Sequence, residues 1–225
     1  MRYYPAFLDL QGAHCLVVGG GQVGERKVKT LLACGAEVRL VSPELTPFLE
    51  EAVNQGRVRL LAAEFTPSQL EGVFLVIGAT DDPEVNRLIS AEARSRSLLC
   101  NIVDRPGECN FILPSVLSRG DLTVAVSTGG RSPALAKKIR EDLEKRFPDS
   151  YIKYLELLGR IREYVLSRGG TQEENQRVFE ALVYSPLQEM LEHGNREEIR
   201  RLIMETVPPP PDEQELEAWM EALIT

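Results

Sequence analysis

The first half of the chain alternates short apolar runs with segments whose apolar residues recur at helical spacing. The apolar runs predict strands, and the periodic segments between them predict helices. The predicted strands cover 14–19, 37–42, 58–65, 73–80 and 98–104, and the predicted helices cover 22–34, 45–56 and 83–97. Strands that alternate with helices of this length are typical of a parallel sheet covered on both faces. The pattern therefore predicts an α/β fold with a Rossmann-type, doubly wound parallel sheet.

The hydrophobic pattern changes after the fifth predicted strand. Residues 111–128 predict two strands joined by a tight turn, and 132–147 predict a helix that begins at Ser132-Pro133. The remainder shows helical periodicity, interrupted by a proline run at 208–211 that cannot be helical. We therefore expect a dinucleotide-binding domain at 1–110, a β-hairpin-plus-helix segment at 111–147 and a C-terminal helical region at 148–225.

Composition narrows the class of protein. The 225 residues are 43% hydrophobic and 27% charged, which is ordinary for a globular chain, and the net charge of −8 argues against nucleic-acid or anionic-membrane partners. The opening MRYYPAFLDL lacks the pattern of a secretion signal, and no apolar run approaches the roughly 18 residues that span a bilayer. We expect a soluble cytoplasmic protein.

Cysteine and histidine are sparse. The four cysteines, at 15, 34, 100 and 109, form no CxxC pair, and we expect them to be small core side chains. Only His14 and His193 are present, so a permanent metal site is not expected.

A glycine motif follows the first predicted strand and opens the first predicted helix. In Gly19-x-Gly21-x-x-Gly24, the first glycine would allow a tight turn, the second a close approach to a pyrophosphate, and the third close packing of the helix. The helix N-terminus, with Gln22 and Val23, would then present its N–H groups to the phosphates. This context favours dinucleotide binding, with a purely structural glycine turn as the alternative.

Two further strand ends would complete the cofactor site. An acid at the end of the second strand normally binds the ribose of NAD, and here Pro43-Glu44 follows that strand at a displaced position. No arginine follows directly to accept a 2′-phosphate, which favours NAD over NADP; the alternative is a solvated turn. Thr80 and Asp81 end the fourth strand, where the nicotinamide is expected, and Asp82-Pro83 is equally suited to capping a helix.

Three later segments identify a family. They are Asn101-Ile102-Val103-Asp104, the run CNFILPS at 109–115, and the run STGGRSP at 127–133. Together with VVGGGQVGERK and ATDDPEVN, they resemble the precorrin-2 dehydrogenase family, which includes the N-terminal portion of sirohaem synthases and stand-alone dehydrogenase/ferrochelatases. The resemblance spans residues 1 to about 150, and the helical tail matches only loosely.

The resemblance carries expectations about activity. It implies NAD-dependent oxidation of precorrin-2 to sirohydrochlorin and, in some members, insertion of Fe(II) to give sirohaem. It implies a homodimer built by the central segment, with the tetrapyrrole bound between the NAD domain and the rest. The family's required aspartate falls on Asp104, and the family's pocket serine is replaced here by Thr128, which keeps the hydroxyl and adds a methyl group.

The residues themselves suit this chemistry. Dehydrogenation of a reduced macrocycle needs a hydride acceptor and a base, and Asp104 is the one acid that ends the fifth strand. The same carboxylate would suit the removal of pyrrole protons during metal insertion. The alternative for Asp104 is a turn acid before Arg105-Pro106-Gly107.

The many carboxylates of the substrate call for cations and N–H groups. The expected substrate-binding residues are Asn101, Arg105, Thr128, Gly129, Gly130, Arg131 and Lys137. For the basic residues, a solvated helix face is the alternative.

Two other functions fit part of the sequence. A regulatory NAD-sensing Rossmann module would explain the first hundred residues, although it gives no role to Asp104 or to the STGGRSP loop. A redox-inactive tetrapyrrole carrier or chelatase would tolerate the displaced acid at Glu44.

Overall fold

The computed structural model describes residues 3–222 of the chain. Its first part contains the elements of the predicted alternation. These are β1 (His14–Val18), α1 (Gln22–Ala33), β2 (Glu37–Val41), α2 (Pro47–Asn54), β3 (Val58–Ala62), β4 (Leu75–Gly78), α3 (Pro83–Ser95) and β5 (Leu99–Ile102). Short 3₁₀ turns at Pro67–Leu70 and Pro106–Glu108 lie in the connections before β4 and after β5.

The five strands form one parallel sheet in the order β3-β2-β1-β4-β5. This is the strand order of a doubly wound Rossmann sheet, so the predicted fold class is confirmed. The order reverses between β1 and β4, and the carboxyl ends of these two strands therefore border the crevice where such sheets bind ligands.

Side chains alternate between the two faces of the sheet, as the pleat requires. In β1, Cys15 and Val17 pack on the face that carries α1 and α2, whereas Leu16 and Val18 pack on the face that carries α3. Both faces are covered, which explains why the strands appear in the sequence as continuous apolar runs rather than as alternating ones.

Several strands are shorter than their apolar runs. The runs at 58–65 and 73–80 form strands only at Val58–Ala62 and Leu75–Gly78. β4 ends at Gly78, and the backbone of Ala79 and Thr80 that follows packs against Gly19 of the glycine motif. The expectation that all cysteines are core side chains was wrong for Cys34, which is exposed because it caps the outer end of α1.

The second part of the chain contains a hairpin and helices. They are β6 (Ser115–Arg119), β7 (Leu122–Val126), α4 (Pro133–Arg146), α5 (Ser150–Ser167), α6 (Gln172–Val183), α7 (Leu187–His193), α8 (Arg196–Thr206) and α9 (Glu213–Ala222). Arg119 pairs with Leu122 across Gly120-Asp121, so the tight turn is confirmed. The Ser132 hydroxyl accepts a hydrogen bond from the Leu135 N–H, with Pro133 in the first turn, as predicted for the start of α4.

The helices after α4 surround a core of their own. Leu157, Ile161 and Leu182 are fully buried in it, and Trp219 of α9 is buried in the same core with a small exposed fraction. The proline run between α8 and α9 is not helical, and the Tyr164 hydroxyl donates to the carbonyls of Pro209 and Pro210 at 3.2 and 3.1 Å.

The chain forms two compact units. Of the described residues, the first unit contains 3–113 together with Gly129–Arg131, and the second contains Pro114–Thr128 and 132–222. Within residues 3–222, no helix combines the length and the apolar character needed to cross a membrane.

We expect Leu182→Ala to lower the free energy of unfolding of the helical unit by about 2–5 kcal/mol, because it leaves a cavity in a closed core. Tyr184→Ala is the matched control, since Tyr184 is 87% exposed and its loss should change stability by less than about 0.5 kcal/mol. Urea unfolding followed by the fluorescence of Trp219, the single tryptophan of the sequence, measures both variants. Equal stability of the two variants would contradict the assigned core.

Candidate functional site

The glycine motif is held by backbone packing at the switch point. Gly19 has φ +116°, and a Cβ there would overlap the Ala79 carbonyl and lie 2.9 Å from the Thr80 nitrogen. A Cβ at Gly24 would overlap the Gly19 carbonyl. The first and third glycines of the motif are therefore required by contacts within the protein.

Gly21 differs from the other glycines of the motif. Its φ of −77° suits any residue, and in the described part of the chain nothing lies within 4 Å of a Cβ placed there. Gly21 precedes α1, and the structure shows no side-chain hydrogen bond capping this end. The first N–H groups of the helix, including those of Gln22 and Val23, therefore lie beside open space that suits an anionic group.

Gly20 and Ser42 join the glycine motif to the end of β2. The Ser42 hydroxyl accepts a hydrogen bond from the Gly20 N–H at 2.9 Å and donates to the Glu44 carbonyl at 2.7 Å. A Cβ at Gly20 would overlap that carbonyl. The sequence reasoning did not identify Gly20 or Ser42, although a third consecutive glycine was the available signal. Both Pro43 and Glu44 are exposed beside this junction.

A buried side chain holds the backbone that follows β4. Asn86 is buried, and its amide nitrogen donates to the Thr80 carbonyl at 2.8 Å. The Asp82 carboxylate accepts hydrogen bonds from the Glu84 and Val85 N–H groups, which confirms it as the cap of α3. Asp81 remains exposed at the edge of the crevice.

Asp104 follows β5 at the same edge of the sheet as Gly19 and Thr80. Its side chain is exposed, and its φ of +59° is a left-handed conformation that few residues other than glycine adopt. Strained backbone of this kind is concentrated at functional sites. Asp104 therefore has an exposed carboxylate, and its left-handed backbone sets the direction in which the side chain leaves the loop.

The Cys109 thiol holds the loop that carries Asp104. It accepts a hydrogen bond from the Ile102 N–H at 3.1 Å and lies 3.2 Å from the carbonyls of Ile102 and Arg105, to which its S–H can donate. Burial raises the pKa of this thiol, so it stays protonated and able to donate. Cys109 was expected to be a core side chain. It does pack, partly buried, against the core on the α3 face of the sheet, and its thiol has this polar role in addition.

Asparagine side chains extend the same support. The Asn110 side chain accepts from the Cys100 N–H at 2.8 Å and donates to the Leu98 carbonyl at 2.7 Å. Asn101, an expected substrate ligand, donates its amide to the Phe111 carbonyl at 3.1 Å. The motif around 109–111 therefore acts like an edge partner of β5.

Lys27 is a cation that the sequence reasoning did not select. It lies on α1, half-buried, three residues after Gly24. Burial lowers the pKa of its ammonium group, the neighbouring Arg26 lowers it further, and the Asp104 carboxylate opposes that shift. Lys27 and Asp104 therefore interact electrostatically.

Most of the predicted substrate cations already have partners. Arg105 lies 3.3 Å from Glu108, and Lys137 lies 3.7 Å from Glu141 on α4. Such exposed pairs contribute little and can be exchanged for another anion. Arg131 is exposed and forms no ion pair within the described residues.

The loop before α4 is closed by a side chain. The Thr128 hydroxyl accepts a hydrogen bond from the Ser132 N–H at 3.0 Å and lies 3.0 Å from the Ser132 carbonyl. Gly129 and Gly130 both have positive φ, at +63° and +82°. The Thr128 hydroxyl is thus used to shape the turn.

Residues 6–115 match a family model described as putative NAD(P)-binding, and residues 119–146 match the model of the central region of sirohaem biosynthesis proteins. The fold, the glycine turn and these matches define an NAD(P)-binding protein of the Rossmann class. The individual cofactor contacts named above remain predictions.

Relatives narrow the class to a family. The chain is 41% identical over 207 residues to the sirohaem synthase of Methylobacillus flagellatus. The aligned region covers 92% of this chain and 44% of that protein. The chain is also 41% identical over 201 residues to sirohaem synthase 1 of Serratia proteamaculans, with 89% and 42% covered. The chain belongs to the sirohaem synthase family and spans less than half the length of these relatives. The family prediction made from the five motifs is thereby confirmed.

A solved structure supports the fold over the whole length. The precorrin-2 dehydrogenase SirC superposes with a TM-score of 0.75 at 24% identity, covering 99% of each chain. This likeness confirms the Rossmann-like sheet followed by a helical region. Among the residues described by the structure, no group of three or more His, Cys, Asp or Glu side chains is arranged to hold a metal ion.

We expect Gly21→Asp to weaken NAD binding by at least about tenfold, because it places a negative side chain beside N–H groups suited to an anion. Gly159→Asp is the matched control, since Gly159 is exposed on α5 and a Cβ there also has nothing within 4 Å. Isothermal titration with NAD compares the two. An unchanged dissociation constant for Gly21→Asp would count against the phosphate site.

We expect Cys109→Val to destabilise the protein by about 1–3 kcal/mol, because it leaves the Ile102 N–H without its acceptor in a half-buried loop. Cys109→Ser keeps a donor and an acceptor and should retain most of the stability. Cys34→Ser, at an exposed position, is the control and should be neutral. Thermal unfolding of the three variants compares their stabilities. A Cys109→Val variant as stable as the unmodified protein would exclude the proposed support of the loop.

Proposed function

We propose that this chain oxidises precorrin-2 to sirohydrochlorin, with NAD as the hydride acceptor. The observation that carries the proposal is the position of Asp104 at the same sheet edge as the glycine turn. β5 lies two strands from β1, or about 10 Å, so the exposed carboxylate and the glycine turn border one crevice within one compact unit.

The reaction removes one hydride and one proton from the macrocycle. NAD, when bound, supplies the hydride acceptor. The Asp104 carboxylate accepts the proton from the substrate, and the loop held by Cys109 keeps that carboxylate at the edge of the crevice. Gly21 and the first N–H groups of α1 bind the pyrophosphate, while Thr80 and Asp81 lie where the fourth strand ends.

NAD rather than NADP is the proposed cofactor. Glu44 is exposed after β2 and would repel a 2′-phosphate, while it suits the hydroxyl groups of a ribose. The Ser42 hydroxyl, directly after β2, is already used by the Gly20 N–H and the Glu44 carbonyl. The connection from Ser42 to Thr46 contains no basic residue.

Substrate carboxylates are proposed to bind Asn101, Arg105 and the N–H groups of the turn before α4. In the sequence, Thr128 occupies the position of the family's pocket serine. Gly129 and Gly130 would offer N–H groups, and Arg131 and Lys137 would offer positive charge. The surface pairs of Arg105 and Lys137 would exchange their acidic partners for the substrate.

A homodimer through the central segment is also proposed. Support comes from Val116 on β6 and Leu135 on α4, each 48% exposed, and from a hairpin whose two strands pair only with each other in the described chain.

Insertion of Fe(II) into sirohydrochlorin is a second proposed reaction, supported by the free carboxylate of Asp104. Iron enters as substrate, and the two pyrrole protons leave to a base. An assay with sirohydrochlorin and Fe(II), run in the absence of NAD, separates this activity from dehydrogenation.

The alternative functions give different results in one assay. Precorrin-2 and NAD yield NADH and the absorbance of sirohydrochlorin if the chain is a dehydrogenase. Tetrapyrrole binding without NADH indicates a carrier or chelatase, and NAD binding without any tetrapyrrole binding indicates a sensor.

We expect Asp104→Asn to lower the turnover of precorrin-2 by at least about 100-fold while leaving NAD affinity unchanged, because it removes the base and keeps the shape. Asparagine also tolerates the left-handed conformation, so the loop should survive. Glu71→Gln is the control, since this exposed acid precedes β4 at the opposite end of the sheet. Full turnover by Asp104→Asn would remove this carboxylate from the mechanism.

A further inference from the structure

Lys27 has the placement of a functional cation rather than of a surface lysine. On α1, Gly24, Val28 and Leu31 face the sheet, and Lys27 lies on the same side at i+3 from Gly24. Its side chain is half-buried, unlike those of Arg26 and Lys29, which are exposed. Part of a charged group has thus been withdrawn from water.

Among the residues that the structure describes, the charge of Lys27 has no direct partner. It makes no hydrogen bond, and no acid lies within 4.0 Å of it between residues 3 and 222. Lys29, two residues further on, pairs with Glu25 instead. Because a desolvated ammonium group without a contact is costly, the position favours the arrival of an anion.

The residues that pack beside Lys27 on α1 indicate on which side of the crevice it lies. Val28 and Leu31 pack in the same core cluster as Val103, the residue before Asp104, and as Phe111. The first N–H groups of α1 lie about 7 Å from Lys27 along the helix axis, toward the helix N-terminus. Together with the electrostatic interaction between Lys27 and Asp104, this packing puts Lys27 on the Asp104 side of the crevice rather than among the groups suited to the pyrophosphate.

We propose that Lys27 binds a carboxylate of the tetrapyrrole substrate next to Asp104. This inference rests on the proposed function, since it deepens the same site. A substrate with several carboxylates is repelled by the negative charge of an exposed aspartate. A cation beside the aspartate would offset this repulsion. Lys27 supplies that cation from α1, and it can do so because none of the described acidic residues forms an ion pair with it.

The test compares Lys27→Met with Lys27→Arg and with Lys29→Met. Sirohydrochlorin affinity is measured by absorbance titration, and NAD affinity by calorimetry, both on the full chain. We expect Lys27→Met to weaken sirohydrochlorin binding about tenfold and to leave NAD binding within about twofold. Lys27→Arg should keep most of the affinity, and Lys29→Met should resemble the unmodified protein.

Three outcomes would overturn the proposal. Unchanged sirohydrochlorin affinity in Lys27→Met would exclude the contact, and an equal loss of NAD affinity would assign the cation to the cofactor phosphates. A fall in kcat with an altered pH profile and unchanged affinity would show that Lys27 acts only through Asp104.

The binding readout also separates this inference from the proposed function. If the unmodified chain binds sirohydrochlorin but forms no NADH from precorrin-2, the dehydrogenase proposal fails and the Lys27 comparison still decides the contact. If the unmodified chain binds no tetrapyrrole, both fail.

Discussion

The close approach of the Gly19 turn to the end of β4 sets the geometry of the whole crevice. Gly19 lies against the backbone of Ala79 and Thr80, and Gly24 lies against the carbonyl of Gly19. These contacts bring the start of α1 to the point where the strand order reverses. A side chain at either glycine would push the helix away from the sheet, and the N–H groups of its first turn would then no longer face the crevice.

The same constraint explains why the end of β2 departs from the usual acid. With Gly20 packed against the Glu44 carbonyl, the position directly after β2 is filled by a hydroxyl that links the two loops. Ser42 is buried there, where a carboxylate would have to give up water. The acid is displaced to Glu44, which is exposed. The structural hydroxyl of Ser42 and the acid proposed to bind the ribose therefore occupy successive parts of one short connection.

The periodicity of the sequence predicted the sheet, its helices and the order of regions. This was possible because strands buried on both faces appear in the sequence as continuous apolar runs. The periodicity overestimated the strands that end at Ala62 and Gly78, because apolar residues continue past the point where the backbone leaves the ladder. The motifs predicted the tight turn at Gly19 and the close packing at Gly24, and the backbone contacts of both glycines agree with this. The catalytic role of Asp104 stays a prediction. The motifs did not predict the polar use of Cys109 or the burial of Lys27, because both depend on which loops meet in space.

The distribution of charge around Asp104 follows from how its loop is held. The supporting contacts come from a neutral thiol and asparagine amides, which fix the backbone without supplying a charge to the carboxylate. Arg105, next in sequence, is paired with Glu108. The electrostatic environment of the carboxylate is therefore left to a group from another element, α1, and to the ligand.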